Sequence, residues 1–423
     1  MARACIVADD LTGAADTGVQ FAAAGPAYVL LPWTDLARAF SRYPAEAYAI
    51  DTASRSADAA TARARTFRAL SACASLNPGI LYLKVDSTLR GHVGPALAGM
   101  RACFPDRPVP VACAFPETGR TTANAVQFVH GTPVDAHEMG KDALAPVSTA
   151  HLPSLLEGFG SSRAVPLDAV RSSRIAAYLD AAQRDGADFV VIDAETRDDL
   201  DRIAAALLGW RTPVACAGSG GLAGSLAKAG FSSRTPEENG PPRAPAVPPG
   251  PALIATTSLK SVTAAQLDAL ATAFPETVRC ELRPVRDSAG PGWRIGDVEH
   301  IADEACRALD SGRNAVVHAA FDAPVDPDLR PPLLEAIAAI VQQAHARARV
   351  ALTIAVGGDT AAAVLRRPDA EGIKLESEIV PGVVLGAVAG GPRHGAALIT
   401  KAGGFGTAQT LVSVLEMLRG AAN

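Results

Sequence analysis

Short apolar runs, separated by longer stretches with one polar face, set the rhythm of this chain. Residues 5–8 are apolar and give way at once to Asp9-Asp10-Leu11-Thr12-Gly13. A run that short predicts a buried strand, and the alanine-rich stretch up to Gly25 predicts a helix. The alternation continues, with strands predicted at residues 27–31, 46–50, 80–85 and 109–115 and a helix over 56–74. Residues 121–134 break it and read as a hairpin or excursion. Beyond them a helix is predicted over 173–184, strands at 189–192 and 214–217, and a helix after Gly218. Strands that alternate with helices of this length predict a largely parallel α/β sheet.

Between residues 232 and 251 the pattern fails, and seven prolines fall there among charged and glycine residues. That composition reads as a semi-rigid linker. The expected organisation is a first domain over 1–235, a linker over 236–250 and a second domain over 251–423. In the second domain strands are predicted at 252–255, 315–318 and 350–356, with helices from Thr263, over 331–346 and after Thr360.

Composition narrows the functions. A chain of 423 residues with 48% apolar and 20% charged residues is an ordinary globular protein with room for two cores. A net charge of −5 offers no footprint for nucleic acid. No apolar run reaches membrane-spanning length, and the first residues lack the charged region and apolar core of a signal peptide, so a cytoplasmic location is expected. The seven cysteines are widely spaced in apolar runs and read as buried free thiols, and the eight histidines show no zinc spacing. A dimer is the commonest assembly for such a chain.

Candidate chemistry gathers at predicted strand ends. In the first half these ends carry Asp9, Asp10, Asp51, Arg55, Lys84, Asp86 and Arg90. Open α/β sheets bind ligands at the carboxyl ends of their strands. Arginine grips a carboxylate with two parallel hydrogen bonds, lysine adds a point charge, and acids accept from hydroxyls. Together they suit a small polyhydroxy acid, although either aspartate of the first pair also suits a helix cap. In the second half the glycine turns Gly357-Gly358-Asp359-Thr360 and Gly403-Gly404-Phe405-Gly406-Thr407 present backbone N–H groups at helix starts, which suits nucleotide phosphate. Thr360 and Ser258 add hydroxyls. A Walker sequence and an early Gly-x-Gly-x-x-Gly are both missing, and Gly-x-Ser-x-Gly is absent too. Gly218-Ser219-Gly220-Gly221 keeps an NAD(P)-dependent sugar-acid oxidoreductase open as a remote alternative, and a two-lobed sugar-acid sensor is the non-enzymatic one.

These stretches, taken in order, resemble the four-carbon acid sugar kinases. The resemblance rests on Ala8-Asp9-Asp10-Leu11-Thr12-Gly13-Ala14, Asp51-Thr52-Ala53-Ser54-Arg55 and Lys84-Val85-Asp86-Ser87-Thr88-Leu89-Arg90-Gly91. It continues through Ala114 to Thr122, Gly218 to Ala223, Gly357 to Thr360 and Lys401 to Gly406. It implies a sugar-acid domain followed by an ATP domain, each a mostly parallel sheet flanked by helices, with the active site in the cleft between them. It further implies that ATP with Mg²⁺ phosphorylates the 4-hydroxyl of D-threonate, with 3-oxo-tetronate and D-erythronate as alternatives. Carried over, Asp10, Arg55 and Lys84 to Ser87 touch the acid, while Ser258, Gly357 to Thr360 and Gly403 touch ATP. Asp9 and Arg90 join the acid-binding group, and Gly404 the nucleotide group, by their places in the strand-end cluster and the glycine turn. Asp10 or Asp86 is the expected base, and no metal ligand is assigned. The family's usual Gly-Ser-x-Ser turn is Thr257-Ser258-Leu259-Lys260 here, with Lys260 as a compensating charge.

Overall fold

The protein's structure, a computed structural model, describes residues 3–141, 146–231, 247–287, 292–324, 326–367 and 369–420. Most of the expected linker, residues 236–246, lies outside the described residues. The chain forms two compact units, Met1–Gly240 and Pro241–Asn423.

The N-terminal unit contains β1 (Ala4–Ala8), β2 (Ala27–Leu30), β3 (Ala47–Asp51), β4 (Ile80–Lys84), β5 (Val109–Ala112), β6 (Arg120–Ala123), β7 (Val126–Val129), β8 (Thr132–Pro133), β9 (Ser162–Val165), β10 (Phe189–Ile192) and β11 (Val214–Gly218). Its main sheet runs β2-β3-β1-β4-β11-β5-β10-β9, and its pairings are parallel. Every residue of β1 is buried, as expected of a strand covered on both faces. The chain leaves β1 for one side of the sheet and returns to the other at β4, which makes the β1/β4 boundary a topological switch point. Ala8 pairs with Asp51 and Val7 with Leu83, so β1, β3 and β4 end at one level. The single helix expected up to Gly25 is split: Leu11–Gly18 is α-helical, and Val19–Ala24 tightens into 3₁₀ turns. The excursion is antiparallel β6-β7-β8.

The C-terminal unit contains β12 (Ala252–Thr256), β13 (Val278–Leu282), β14 (Pro284–Arg286), β15 (Trp293–Ile295), β16 (Ala315–Ala319), β17 (Leu352–Val356), β18 (Gly372–Val380), β19 (Val383–Ala389) and β20 (Ala397–Lys401). Its sheet runs β13-β16-β12-β17-β20-β19-β18. Pairings are parallel as far as β20 and antiparallel beyond it, an edge that the sequence pattern does not announce. Side chains alternate across β12: Leu253 and Ala255 join one core with helices Val298–Asp310 and Arg330–Arg347, Ala252 and Ile254 the other with helices Ser261–Ala273 and Thr410–Gly420. Thr256 pairs with Val356, and Val356 with Lys401, so three glycine-rich or hydroxyl-rich turns leave the sheet side by side. All seven cysteines are free, six of them buried. No helix among the described residues is long and apolar enough to cross a membrane.

Candidate active site

Asp10 closes the turn after β1. Its Oδ1 accepts from the Gly13 N–H at 2.9 Å and its Oδ2 from the Thr12 hydroxyl at 2.7 Å, which caps helix Leu11–Gly18. The same Oδ2 accepts from Arg55 Nη1 at 2.8 Å. Capping and site membership, alternatives in the sequence, therefore coexist in one carboxylate. Position 13 must be glycine for this approach, since a Cβ there would lie 2.6 Å from Asp10 Oδ1 and 3.3 Å from Lys84 Nζ.

Arg55 is placed by backbone lacing. The Thr52 N–H donates to the Ala8 carbonyl, and the Ser54 and Arg55 N–H groups donate to that of Asp9. Its guanidinium forks onto Asp9, with Nε at 2.9 Å and Nη2 at 2.8 Å, and Nη2 lies 4.0 Å from Asp86 Oδ1. Asp86 in turn is held by Arg90, through Nε at 2.8 Å and Nη2 at 3.2 Å. Ser87 is buried, and its carbonyl accepts at 2.8 Å from Gln127 Nε2 on β7. Gln127 also accepts from the Thr122 hydroxyl at 2.6 Å, so the hairpin braces the loop after β4. Sequence reading missed Gln127; a lone glutamine in a polar excursion carries no visible signal.

The cluster's charges are unequal. Burial works against the charge of Asp10, but Arg55 and Lys84 outweigh it and hold its carboxyl below the usual value. Asp86 is likewise buried, yet Arg90 and Arg55 keep it well below. Asp9 is pushed up by burial despite Arg55. Asp51 is 1% exposed, and burial, with Asp10 and Asp9 adding to it, pushes its carboxyl up to about 7 against the Ala53 N–H. Lys84 is 7% exposed and hydrogen-bonds to nothing among the described residues, although Asp10 and Asp86 feel its charge. All the acid-site residues expected from the sequence thus meet at the ends of β1, β3 and β4.

In the C-terminal unit, Gly357 follows β17 at φ 104°, a conformation that favours glycine, and leads into helix Gly358–Arg366. The Thr360 hydroxyl accepts from the Thr257 N–H at 3.1 Å and lies 3.0 Å from the Thr257 hydroxyl, tying the β12 and β17 turns together. Ser258 Oγ lies 2.9 Å from Thr263 Oγ1, which donates to the Gly403 carbonyl at 3.1 Å. A Cβ on Gly403 would stand 2.9 Å from Ser258 Oγ, and the Gly357 Cα is 4.0 Å from the same point. Ser258, Gly357 and Gly403 therefore form one cradle, with Gly358 opening the helix and Gly404 next in the turn. Asp359 is exposed and ion-pairs with Arg330. Gly218-Ser219-Gly220-Gly221 is different: all four are buried, Ser219 Oγ donates to the Ala114 carbonyl, and a Cβ on Gly218 would hit the Ala112 carbonyl. Close packing explains that glycine turn without a dinucleotide. Among the described residues, no group of three or more histidines, cysteines or carboxylates is arranged to hold a metal ion.

Two family models cover nearly the whole chain: a sugar-binding N-terminal domain over residues 4–226 and a nucleotide-binding C-terminal domain over residues 253–411. A D-threonate kinase of Bordetella bronchiseptica is 34% identical over 98% of this chain and 97% of its own. The chain belongs to the four-carbon acid sugar kinase family. A 3-oxo-tetronate kinase of Methylobacterium radiotolerans is 30% identical over 97% of this chain and 98% of its own. A solved Salmonella typhimurium structure described as a tRNA synthase shares the fold, with a TM-score of 0.76 at 21% identity over 97% of this chain and 98% of its own. Membership of this kinase family makes the protein a phosphotransferase.

Proposed function

We propose that the protein transfers the γ-phosphoryl group of ATP to the 4-hydroxyl of a four-carbon sugar acid, D-threonate first. Beyond the family, the observation that carries the acid site is Lys84, a residue 7% exposed whose ammonium hydrogen-bonds to nothing among the described residues, beside an arginine with two of its five N–H donors to spare. Lys84 and the spare N–H groups of Arg55 bind the substrate carboxylate. Asp10 and Asp86 are fully ionised at neutral pH, so they orient the attacking hydroxyl as acceptors and are weak bases. That suffices where the transition state is loose and the proton leaves late. Ser87 and Arg90 complete the acid site, and Asp9 holds Arg55 in register.

The cradle of Ser258, Gly357, Gly358, Thr360, Gly403 and Gly404 binds the phosphates of ATP through backbone N–H groups and hydroxyls. Asp359, tied to Arg330, shapes the helix start. Mg²⁺ would accompany ATP and would supply charge neutralisation at the phosphates.

The test is ADP release with Mg·ATP against D- and L-threonate, D- and L-erythronate and their 3-oxo forms. D-Threonate is expected to give kcat/KM of at least ~10⁴ M⁻¹s⁻¹. Preference for a 3-oxo acid would transfer the reading to the second relative's substrate. Silence across the panel would defeat it. If Asp10→Asn and Asp86→Asn both kept near-normal turnover, neither carboxylate would be the acceptor.

A further inference from the structure

Lys401 ends β20, and its side chain is 0% exposed. Its cross-strand partners are Val356 on β17 and Val383 on β19. Side chains alternate along a strand, so Lys401 shares a face with Ile399, Val356 and Val383, all members of one apolar core. A charged amine stands where the pattern calls for an aliphatic residue. Its Nζ has one hydrogen bond, donated at 2.9 Å to the carbonyl oxygen of Ala402, the peptide that joins Ala402 to Gly403.

Among the described residues no ionised group balances that charge. Val356, Val383, Thr263 and Gln266 are the buried groups that β17, β19 and helix Ser261–Ala273 present at this end, and none of them ionises. The turn above is held by its backbone: the Thr263 hydroxyl donates to Gly403, and Gln266 Nε2 to the Phe405 and Thr407 carbonyls. The carboxylates on the surrounding elements are engaged or exposed. Asp268 pairs with Arg279, Glu378 accepts from the Gly382 N–H, and Glu416 is exposed, as is Lys260. Burial alone acts on the Lys401 amine and brings it down to about 8.

An ammonium buried without a counter-ion is costly unless a ligand supplies one. The anion this unit receives, on the reading given above, is phosphate in the Ser258–Gly357–Gly403 cradle, two residues on from the lysine. We infer that Lys401 is a built-in counter-charge for the nucleotide's phosphates, positioned beneath the glycine turn. In a weakly screening interior the attraction acts across several ångströms and does not require contact. The inference rests on the nucleotide reading and adds to it a proton taken up with the ligand.

The experiment is titration calorimetry of the full chain with ADP, with and without Mg²⁺, in buffers of different ionisation enthalpy. At about pH 8.5 the free amine is mostly neutral, whereas ADP, whose phosphate titrates near roughly 6, has finished losing protons. Wild type is expected to take up roughly 0.7 proton per ADP there and close to none near pH 6.5. Lys401→Met is expected to bind ADP roughly 30-fold more weakly and to lose the uptake. Lys401→Arg keeps a permanent charge and is expected to bind without uptake. Wild type that binds ADP with no uptake at the higher pH overturns the inference, even if Lys401→Met does not fold. Unchanged affinity and uptake in Lys401→Met overturn it too, and leave the kinase reading standing. Failure of wild type to bind ADP at all defeats both.

Discussion

Asp51 shows how one residue's surroundings become a measurable property. Its carboxyl titrates near about 7 when folded, against an ordinary value of 3.8. Between those two values the folded protein holds a proton that the unfolded chain has released. Stability from this group is therefore complete below the unfolded pKa and is lost as pH rises through the folded one. Asp51→Asn mimics the protonated acid and keeps the acceptor for the Ala53 N–H. It is expected to match wild type near pH 4 and to exceed it by about 2–4 kcal/mol near pH 8, read by urea unfolding. Equal stability at both pH values would count against a buried, proton-holding Asp51. Lys84→Met is expected to lower acid-dependent kcat/KM about 100-fold, the worth of a charged hydrogen bond to a carboxylate. At this scale the sequence told which groups would gather, because Asp9, Asp10, Arg55, Lys84 and Asp86 all stand within a few residues of a strand end. Gln127 was illegible, since its partners Ser87 and Thr122 are brought to it only by the fold; Lys401 stood in a matching stretch, but its burial in an apolar core is visible only in the structure.

Elements explain why turns, rather than helices, carry the candidate chemistry. Strands β12, β17 and β20 end level, so three turns converge without any long loop. Gly403→Ala places a Cβ 2.9 Å from Ser258 Oγ, and Ser258 must move aside. The expected result is a KM for ATP raised about 10-fold, from about 1–3 kcal/mol of crowding, with KM for the acid unchanged. A variant with unaltered steady-state kinetics would remove Ser258 from the nucleotide site. Apolar runs bounded by turn residues made the parallel strands readable. The β18–β19 edge went unread because Gly372–Val380 offers no continuous apolar run; its strand signal is the shorter alternation over Ile373–Glu376. The helix expected through Gly25 split because composition reports helical tendency but not where turns tighten.

At the scale of the whole molecule, the α/β class and the family were both legible, because the matching stretches are spread through both halves in order. Each unit gathers its own candidate groups at its own strand ends, so binding of acid and nucleotide should be separable by mutation. Arg55→Ala leaves Asp9 and Asp10 without their shared partner and is expected to destabilise the protein by about 3 kcal/mol. It is also expected to abolish acid-dependent turnover while leaving the affinity for ADP, measured by calorimetry, unchanged. Loss of ADP binding in that variant would contradict a division of labour between the units.

The bond from Gln127 to the Ser87 carbonyl has a consequence for how such an enzyme diverges. The Asp86–Arg90 loop is shored up by a hairpin that is itself pinned to the end of β10, through the Thr122–Ala194 bridge and the Asn124 and Ala125 N–H groups that donate to Asp193. Exchanges that shift Gln127 would nudge Ser87 from outside the strand-end cluster of Asp10, Arg55 and Lys84. On the proposed reading, choice among stereoisomers thereby becomes a heritable dial set from the periphery, and directed evolution aimed at a new acid has a target there.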